Sequence, residues 1–138
     1  MNAIDTNILV YAFDDAEPVK RFKAESLLDR LIESADTVLL WQVAVEFLGC
    51  LRRWQATGRV SADDVFDFFE EVLLSFPLVV PGREVLLQSQ RLFSSVSLSH
   101  WDSLVIAACC DAQIDTLYSE DMQHEQVYDG VRVINPFV

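Results

Sequence analysis

The opening segment constrains this chain more than any other. An apolar run at Met1–Ile4 breaks at Asp5-Thr6-Asn7 and resumes from Ile8 to Phe13 with helical spacing. A strand that ends in a carboxylate and passes at once into a helix sets that carboxylate at the carboxyl edge of a sheet. In open α/β folds ligands bind at that edge. The remaining sequence then has to be asked whether other carboxylates arrive at the same place.

After this start, strand-like and helix-like segments alternate. Pro18 suits the first helical position, and Val19–Ile32 is amphipathic. Thr37–Leu40 is β-branched and apolar, a strand, and Gln42–Ala56 reads as a helix stopped by Gly58. Ser61 with Asp64 three residues on forms a capping-box pattern before a helix carrying Val65, Phe66, Phe68, Phe69, Val72 and Leu73. Pro77–Val80 is a short strand, Arg83–Phe93 a helix, Ser94–Ser99 a serine-rich loop and His100–Ala112 a helix. Thr116–Ser119 is a strand, Glu120–His124 a turn or short helix, and Val131–Ile134 the last strand. Strands alternating with helices predict a parallel sheet covered on both faces, an α/β chain folded as a three-layer α/β/α sandwich with a short central parallel sheet. At 138 residues, without linker or repeat, a single domain spanning residues 1–138 is expected.

Composition narrows the function. Half the residues are hydrophobic (51%), enough for a packed core, and the net charge is −12. Such a charge repels phosphate, so any polyanion has to be bound locally, through a metal ion or a group of arginines. Of the 10 basic residues only Lys20 and Lys23 are lysines. Cys50, Cys109 and Cys110 are odd in number and lie in apolar stretches, which fits buried free thiols and a reducing compartment. With no leader-like segment and no apolar run of membrane-spanning length, a cytoplasmic location with no membrane partner is expected.

Four carboxylates stand where a polar group is locally odd. Asp5 ends the first strand. Glu46 lies within Val43-Ala-Val-Glu-Phe-Leu-Gly-Cys-Leu51, where a carboxylate needs a partner or a metal. Asp102 opens an apolar helix, and Asp121 follows the strand at 116–119. Each also has a purely structural explanation. Asp5 can cap the next helix, and Ser99-His-Trp-Asp102 fits a capping box. Glu46 can pair with an arginine such as Arg53, and Asp121 can be a turn residue. The functional reading gains from all of them falling at compatible ends of alternating elements.

Here the chain resembles a family. Asp5-Thr-Asn-Ile-Leu9, Glu46-Phe-Leu48, Trp101-Asp-Ser-Leu-Val-Ile-Ala-Ala108, Tyr118-Ser-Glu-Asp-Met-Gln123 and Gly130-Val-Arg-Val-Ile-Asn-Pro-Phe137 are, in this order, similar to a PIN domain, nearest the VapC-type toxin ribonucleases of type II toxin–antitoxin systems. The resemblance covers nearly the whole chain. It implies a sandwich with a central parallel sheet, metal-dependent endoribonuclease activity on an RNA substrate, and Asp5, Glu46, Asp102 and Asp121 as the acids that bind Mg²⁺ or Mn²⁺. Thr6 or Asn7, and Ser119, match polar positions that support such a cluster. It further implies a homodimer and a heteromeric complex with a cognate antitoxin. One departure is visible: many relatives have Gly where this chain has Glu125. The chemistry agrees independently, because phosphodiester hydrolysis needs activated water and neutralised phosphoryl oxygens, and carboxylate-held hard cations supply both.

Competing assignments fare worse. A haloacid-dehalogenase-like phosphatase needs an aspartate at Asn7, a receiver domain needs a late lysine, and a dinucleotide-binding domain needs glycines after the first strand. The alternatives that remain are a catalytically inactive PIN-like module that binds RNA or protein, and a nuclease acting on DNA or another phosphodiester. Elsewhere, Arg52 and Arg53 are read as partners of local acids, His100 as a first-turn helix residue, and Trp41, Trp54 and Trp101 as core or interface. Phe66, Phe68, Phe69, Val72 and Leu73 on one helix exceed what a single core stripe requires and are read as helping to form a groove or dimer surface, with a wide core-facing stripe as the alternative.

Overall fold

A computed structural model describes residues 1–138. Its elements run β1 (Asn2–Ile4), α1 (Thr6–Ala12), α2 (Pro18–Ser34), β2 (Thr37–Leu40), α3 (Trp41–Ala56), α4 (Ala62–Ser75), β3 (Leu78–Val79), α5 (Arg83–Ser95), α6 (His100–Asp111), β4 (Thr116–Tyr118), β5 (Val127–Tyr128) and β6 (Val131–Ile134). The six strands form one sheet in the order β3-β2-β1-β4-β6-β5. All neighbours are parallel except β5, which runs antiparallel to β6. With the helices flanking it, this is the three-layer sandwich expected from the alternation. Ile4, Leu39, Leu40, Leu117, Val131 and Val133 of the strands are shut off from solvent, as are Ile8, Leu27, Phe47, Leu51 and Ile106 of the helices. No helix is long and apolar enough to cross a membrane.

The order of the strands sets the site. The chain steps outward from β1 to β2 and β3, then returns to lay β4 on the other side of β1. The direction of winding therefore reverses between β1 and β4, and such a switch point opens a crevice at the carboxyl ends of the strands. Ile4 pairs with Tyr118 and Tyr118 with Ile134, so the residues that follow β1 and β4, Asp5 and Ser119, leave the sheet at the same level.

One strand is new, one reading is narrowed to its turn form and one is revised. Val127–Tyr128 is a strand, joined to β6 by Asp129-Gly130 with both φ positive (50° and 87°). That is the two-residue turn whose twist suits a hairpin, and Asp-Gly is its usual sequence. Glu120–His124 holds no helix, only turns and bends. On α4 the aromatic residues divide. Phe68 stacks on Phe13 at 4.8 Å and Phe69 lies 6.3 Å from Phe47, so both belong to the core, whereas Phe66 is exposed. The exposed apolar residues of this helix are Phe66, Leu73 and Leu74, without Phe69. The cysteines are free thiols, with Cys50 and Cys109 buried.

Candidate functional site

Asp5 is the most deeply placed acid, 4% exposed. It is the N-cap of α1: its Oδ1 accepts from the Thr6 N–H at 2.8 Å. Its other oxygen accepts from the Ser119 hydroxyl at 2.7 Å, across the switch point between β1 and β4. Capping and a functional role are thus not exclusive, because the cap occupies one oxygen and leaves the side chain pinned at the crevice. Ser119, fully buried, also accepts from the Asp121 N–H at 3.1 Å and so joins the two aspartates through one hydroxyl.

The remaining acids are held by neighbours of the same crevice. Thr6 donates its hydroxyl to Glu46 Oε2 at 2.7 Å, and Gln42, one turn earlier on α3, donates to Glu46 Oε1 at 3.0 Å. Glu46 therefore does not pair with Arg53; neither Arg52 nor Arg53 takes part in an ion pair. Asn7 donates to Asp121 Oδ2 at 3.1 Å and accepts from the Glu120 N–H at 3.2 Å, which fixes the start of the loop after β4. At α6, Ser99 accepts from the Asp102 N–H at 3.1 Å, but the reciprocal bond that completes the capping box is absent. The same Ser-x-x-Asp pattern at Ser61 and Asp64 makes both bonds. Asp102 therefore does not cap the Ser99 N–H in return, and its carboxylate is eased only by the Ser99 hydroxyl.

The electrostatics show that the four acids share one region. Burial raises the Asp5 pKa to about 6; the bonds from Ser119 and Thr6 pull it down, and the charges of Asp121 and Glu46 push it up. Asp102 is raised chiefly by burial, eased by Ser99 and raised further by the same Asp121 and Glu46. None of the four has a basic partner. Lys20 is engaged by Glu120, which also accepts from the Tyr11 hydroxyl at 2.7 Å. This bond network holds Glu120 below its ordinary range despite its partial burial. It ties the loop carrying Asp121 to α1 and α2.

The donor set suits a hard divalent cation: carboxylate oxygens, mutually repelling and uncompensated. In the arrangement described, no three of the acids converge closely enough to surround one ion. The fit is therefore one of charge and donor type. Sequence reasoning singled out Asp5, Thr6, Asn7, Glu46, Asp102, Ser119 and Asp121; hydrogen bonds link Asp5, Thr6, Glu46, Ser119, Asp121 and Asn7, and Asp102 feels the charges of Asp121 and Glu46. It missed Gln42, whose position four residues before Glu46 on a helix was a usable signal. It also missed the Tyr11, Lys20 and Glu120 group, for which nothing local in the sequence speaks. His124 accepts from the Asn135 N–H at 3.0 Å and serves the C-terminal loop.

Residues 3–130 match the PIN domain. The chain belongs to the PIN-domain family. Its fold is shared with a solved structure described as a toxin-antitoxin complex from Klebsiella pneumoniae, at a TM-score of 0.72 and 16% identity over 99% of this chain and 98% of that one. A search of curated protein sequences found no match. In this PIN domain the departure at Glu125 has a clear form. Glu125 adopts φ 64°, the left-handed region that glycine enters freely, and its N–H donates to Val133 O at 2.7 Å. The loop keeps the conformation a glycine would give it, with a side chain in place.

Proposed function

We propose that this PIN domain is a metal-dependent endoribonuclease, the toxin of a toxin–antitoxin pair, which hydrolyses RNA phosphodiester bonds at Asp5, Glu46, Asp102 and Asp121. PIN domains are generally nucleases. The observation that carries the reading is the gathering of four carboxylates at a strand switch point with no cation to balance any of them. Structural ion pairs do not leave acids in that state, and burying a charge without compensation is costly. Bound Mg²⁺ or Mn²⁺ would supply a nucleophilic water and neutralise the phosphoryl oxygens. Asp5, Glu46, Asp102 and Asp121 would hold it, since an arriving cation turns their repulsion into attraction. Ser119, Thr6, Gln42 and Asn7 orient the acids through the bonds described above. The net charge of −12 is then no obstacle to a polyanionic substrate, because positive charge is delivered only where the scissile phosphate sits.

The toxin assignment takes support from the fold shared with the Klebsiella protein, whose title names a toxin-antitoxin complex. A cognate antitoxin and a second copy of the chain are the partners we assign, within one domain covering residues 1–138. The test is cleavage of a broad set of RNAs by antitoxin-free protein with Mg²⁺ or Mn²⁺, with EDTA, Asp5→Asn and Asp102→Asn as controls. We expect metal-dependent cutting that both substitutions reduce at least a hundredfold, a loss of about 3 kcal/mol in transition-state stabilisation. Absence of such cutting in the wild-type protein identifies a binding module instead.

A further inference from the structure

The first turn of α2 carries a lysine where a helix favours an acid. Lys20 is the third residue of α2, which has no acid in that turn and no side-chain cap. The helix dipole disfavours a cation there, so the reason for Lys20 lies off its own helix. Its ammonium pairs with Glu120 and donates to the Tyr11 hydroxyl at 3.1 Å, while Tyr11 donates to the other Glu120 oxygen at 2.7 Å. The three groups close a triangle that engages both carboxylate oxygens of Glu120. Lys20 lies 4.6 Å from the centre of the Tyr11 ring, and Phe137 meets the same ring in a T-shaped contact at 5.1 Å.

We infer that Glu120 is a positioning residue of the acidic site, and that Lys20 and Tyr11 hold it so that Asp121 keeps its place in the crevice and a divalent cation binds there more tightly. The inference rests on the nuclease reading and deepens it by naming what sets one of its acids. Ser119, Glu120 and Asp121 follow one another and reach three different partners: Asp5, the Lys20–Tyr11 pair and Asn7. From Glu120 to His124 the chain holds no helix or strand, so no ladder of backbone bonds fixes the direction of Asp121. Asn7 holds that carboxylate and the Glu120 N–H from α1, and Tyr11 holds the Glu120 side chain from the same helix. Residues four apart are neighbours on a helix surface. α1 therefore grips the loop at two points, and Lys20 adds a third from α2. Glu120 differs from the four candidate ligands in having a cation, and the triangle occupies both its oxygens. Its effect on a bound ion passes through Asp121.

The test is Mn²⁺ binding by the full chain, read by electron paramagnetic resonance, in wild type, Lys20→Met, Lys20→Arg and Glu120→Gln. Charge alone predicts that removing Lys20 tightens Mn²⁺ binding, since a positive charge beside the loop of Asp121 is gone and Glu120 is set free. Positioning predicts the opposite. Lys20→Met should weaken binding by about tenfold, the low end for a residue that orients ligands from outside, and Lys20→Arg should restore most of it. Glu120→Gln should weaken it too. The double variant, Lys20→Met with Glu120→Gln, should lose no more than the larger single loss, because both substitutions break one triangle. In metal-free protein, amide exchange at Glu120 and Asp121 should quicken in Lys20→Met and return to the wild-type rate in Lys20→Arg. Unchanged or tighter Mn²⁺ binding in a folded Lys20→Met overturns the inference, as do additive losses in the double variant or unaltered exchange at the two amides. Should Lys20→Met lose its fold, Tyr11→Phe, which removes one hydroxyl, replaces it with the same weakening expected. Failure of the nuclease reading is seen separately, as Mn²⁺ binding by a wild-type chain that cuts no RNA. A wild-type chain that binds no Mn²⁺ overturns both.

Discussion

At the residue scale, Asp5 is where function and stability oppose each other. Its pKa moves from 3.8 to about 6 in the fold. The folded state therefore prefers the protonated acid, and ionisation costs folding free energy. Below about pH 4 the acid is protonated in both states and contributes nothing. Between about pH 4 and about pH 6 the folded chain binds more protons than the unfolded one, and stability falls as pH rises. Above that window the penalty is complete, about 3 kcal/mol at 1.36 kcal/mol per unit. Asp5→Asn removes the charge and keeps the acceptor for the Thr6 N–H, but its amide leaves the Ser119 hydroxyl hydrogen without its acceptor, a loss of about 1 kcal/mol. In EDTA we expect the variant to be about 2 kcal/mol more stable than wild type at pH 8 and no more stable at pH 4. Urea unfolding at both values decides it, and equal stability at pH 8 would show that the carboxylate is not under strain. Glu125 is a second residue held against its preference. An L-residue in the left-handed region costs about 1–2 kcal/mol, and glycine gives part of that back as extra freedom in the unfolded chain. Glu125→Gly should raise stability by up to about 1 kcal/mol, measured by the same unfolding, with no change in metal-dependent cleavage.

At the element scale, one four-residue pattern does two different jobs. Ser61-Ala-Asp-Asp64 closes both bonds of its box, while Ser99-His-Trp-Asp102 closes one and leaves its acid to the crevice. Each serine cap is worth about 1 kcal/mol. Ser61→Ala should lose that much stability and nothing in cleavage. Ser99→Ala should lose a similar amount and in addition change the pH dependence of cleavage, because the Ser99 hydroxyl holds the Asp102 pKa down. Identical pH profiles for the two variants would deny Asp102 its role. The pair also marks how far local sequence is legible. The pattern announces a helix start and does not say where the acid turns, which depends on Asp121 and Glu46 arriving from elsewhere. The alternation of elements gave the sandwich, and Asp5, Glu46, Asp102 and Asp121 could be picked out because an acid at a strand end or in an apolar helix is locally conspicuous. The antiparallel β5 is legible in Val-Tyr-Asp-Gly-Val-Arg, where Asp-Gly stands between two short β-branched or aromatic segments. The link from Glu120 to Lys20 and Tyr11 spans a hundred residues and leaves no local trace, so only the folded chain reveals it.

At the scale of the whole molecule the question is how a strongly acidic protein engages a polyanion at all. Single-stranded nucleic acid usually binds by displacing counterions, with log K falling against log salt by about 0.7 for each phosphate contacted. A protein that makes many such contacts loses orders of magnitude in affinity between about 50 and 200 mM salt. This chain has 10 basic residues against 22 acidic ones, and Lys20, Arg21 and Arg59 already pair with its own carboxylates. The other seven form no ion pair and none of them is paired with the four acids, so on the proposed reading attraction is concentrated in divalent ions at the crevice. Added monovalent salt also screens the repulsion between strand and protein, which works against any loss. We therefore expect the KM for a single-stranded RNA, at fixed Mg²⁺, to rise by less than about threefold from 50 to 200 mM KCl, the change due to about one phosphate contact. Removal of Mg²⁺ should abolish binding over the same range. A steep rise in KM with KCl would show that a group of arginines, remote from the carboxylates, grips the strand.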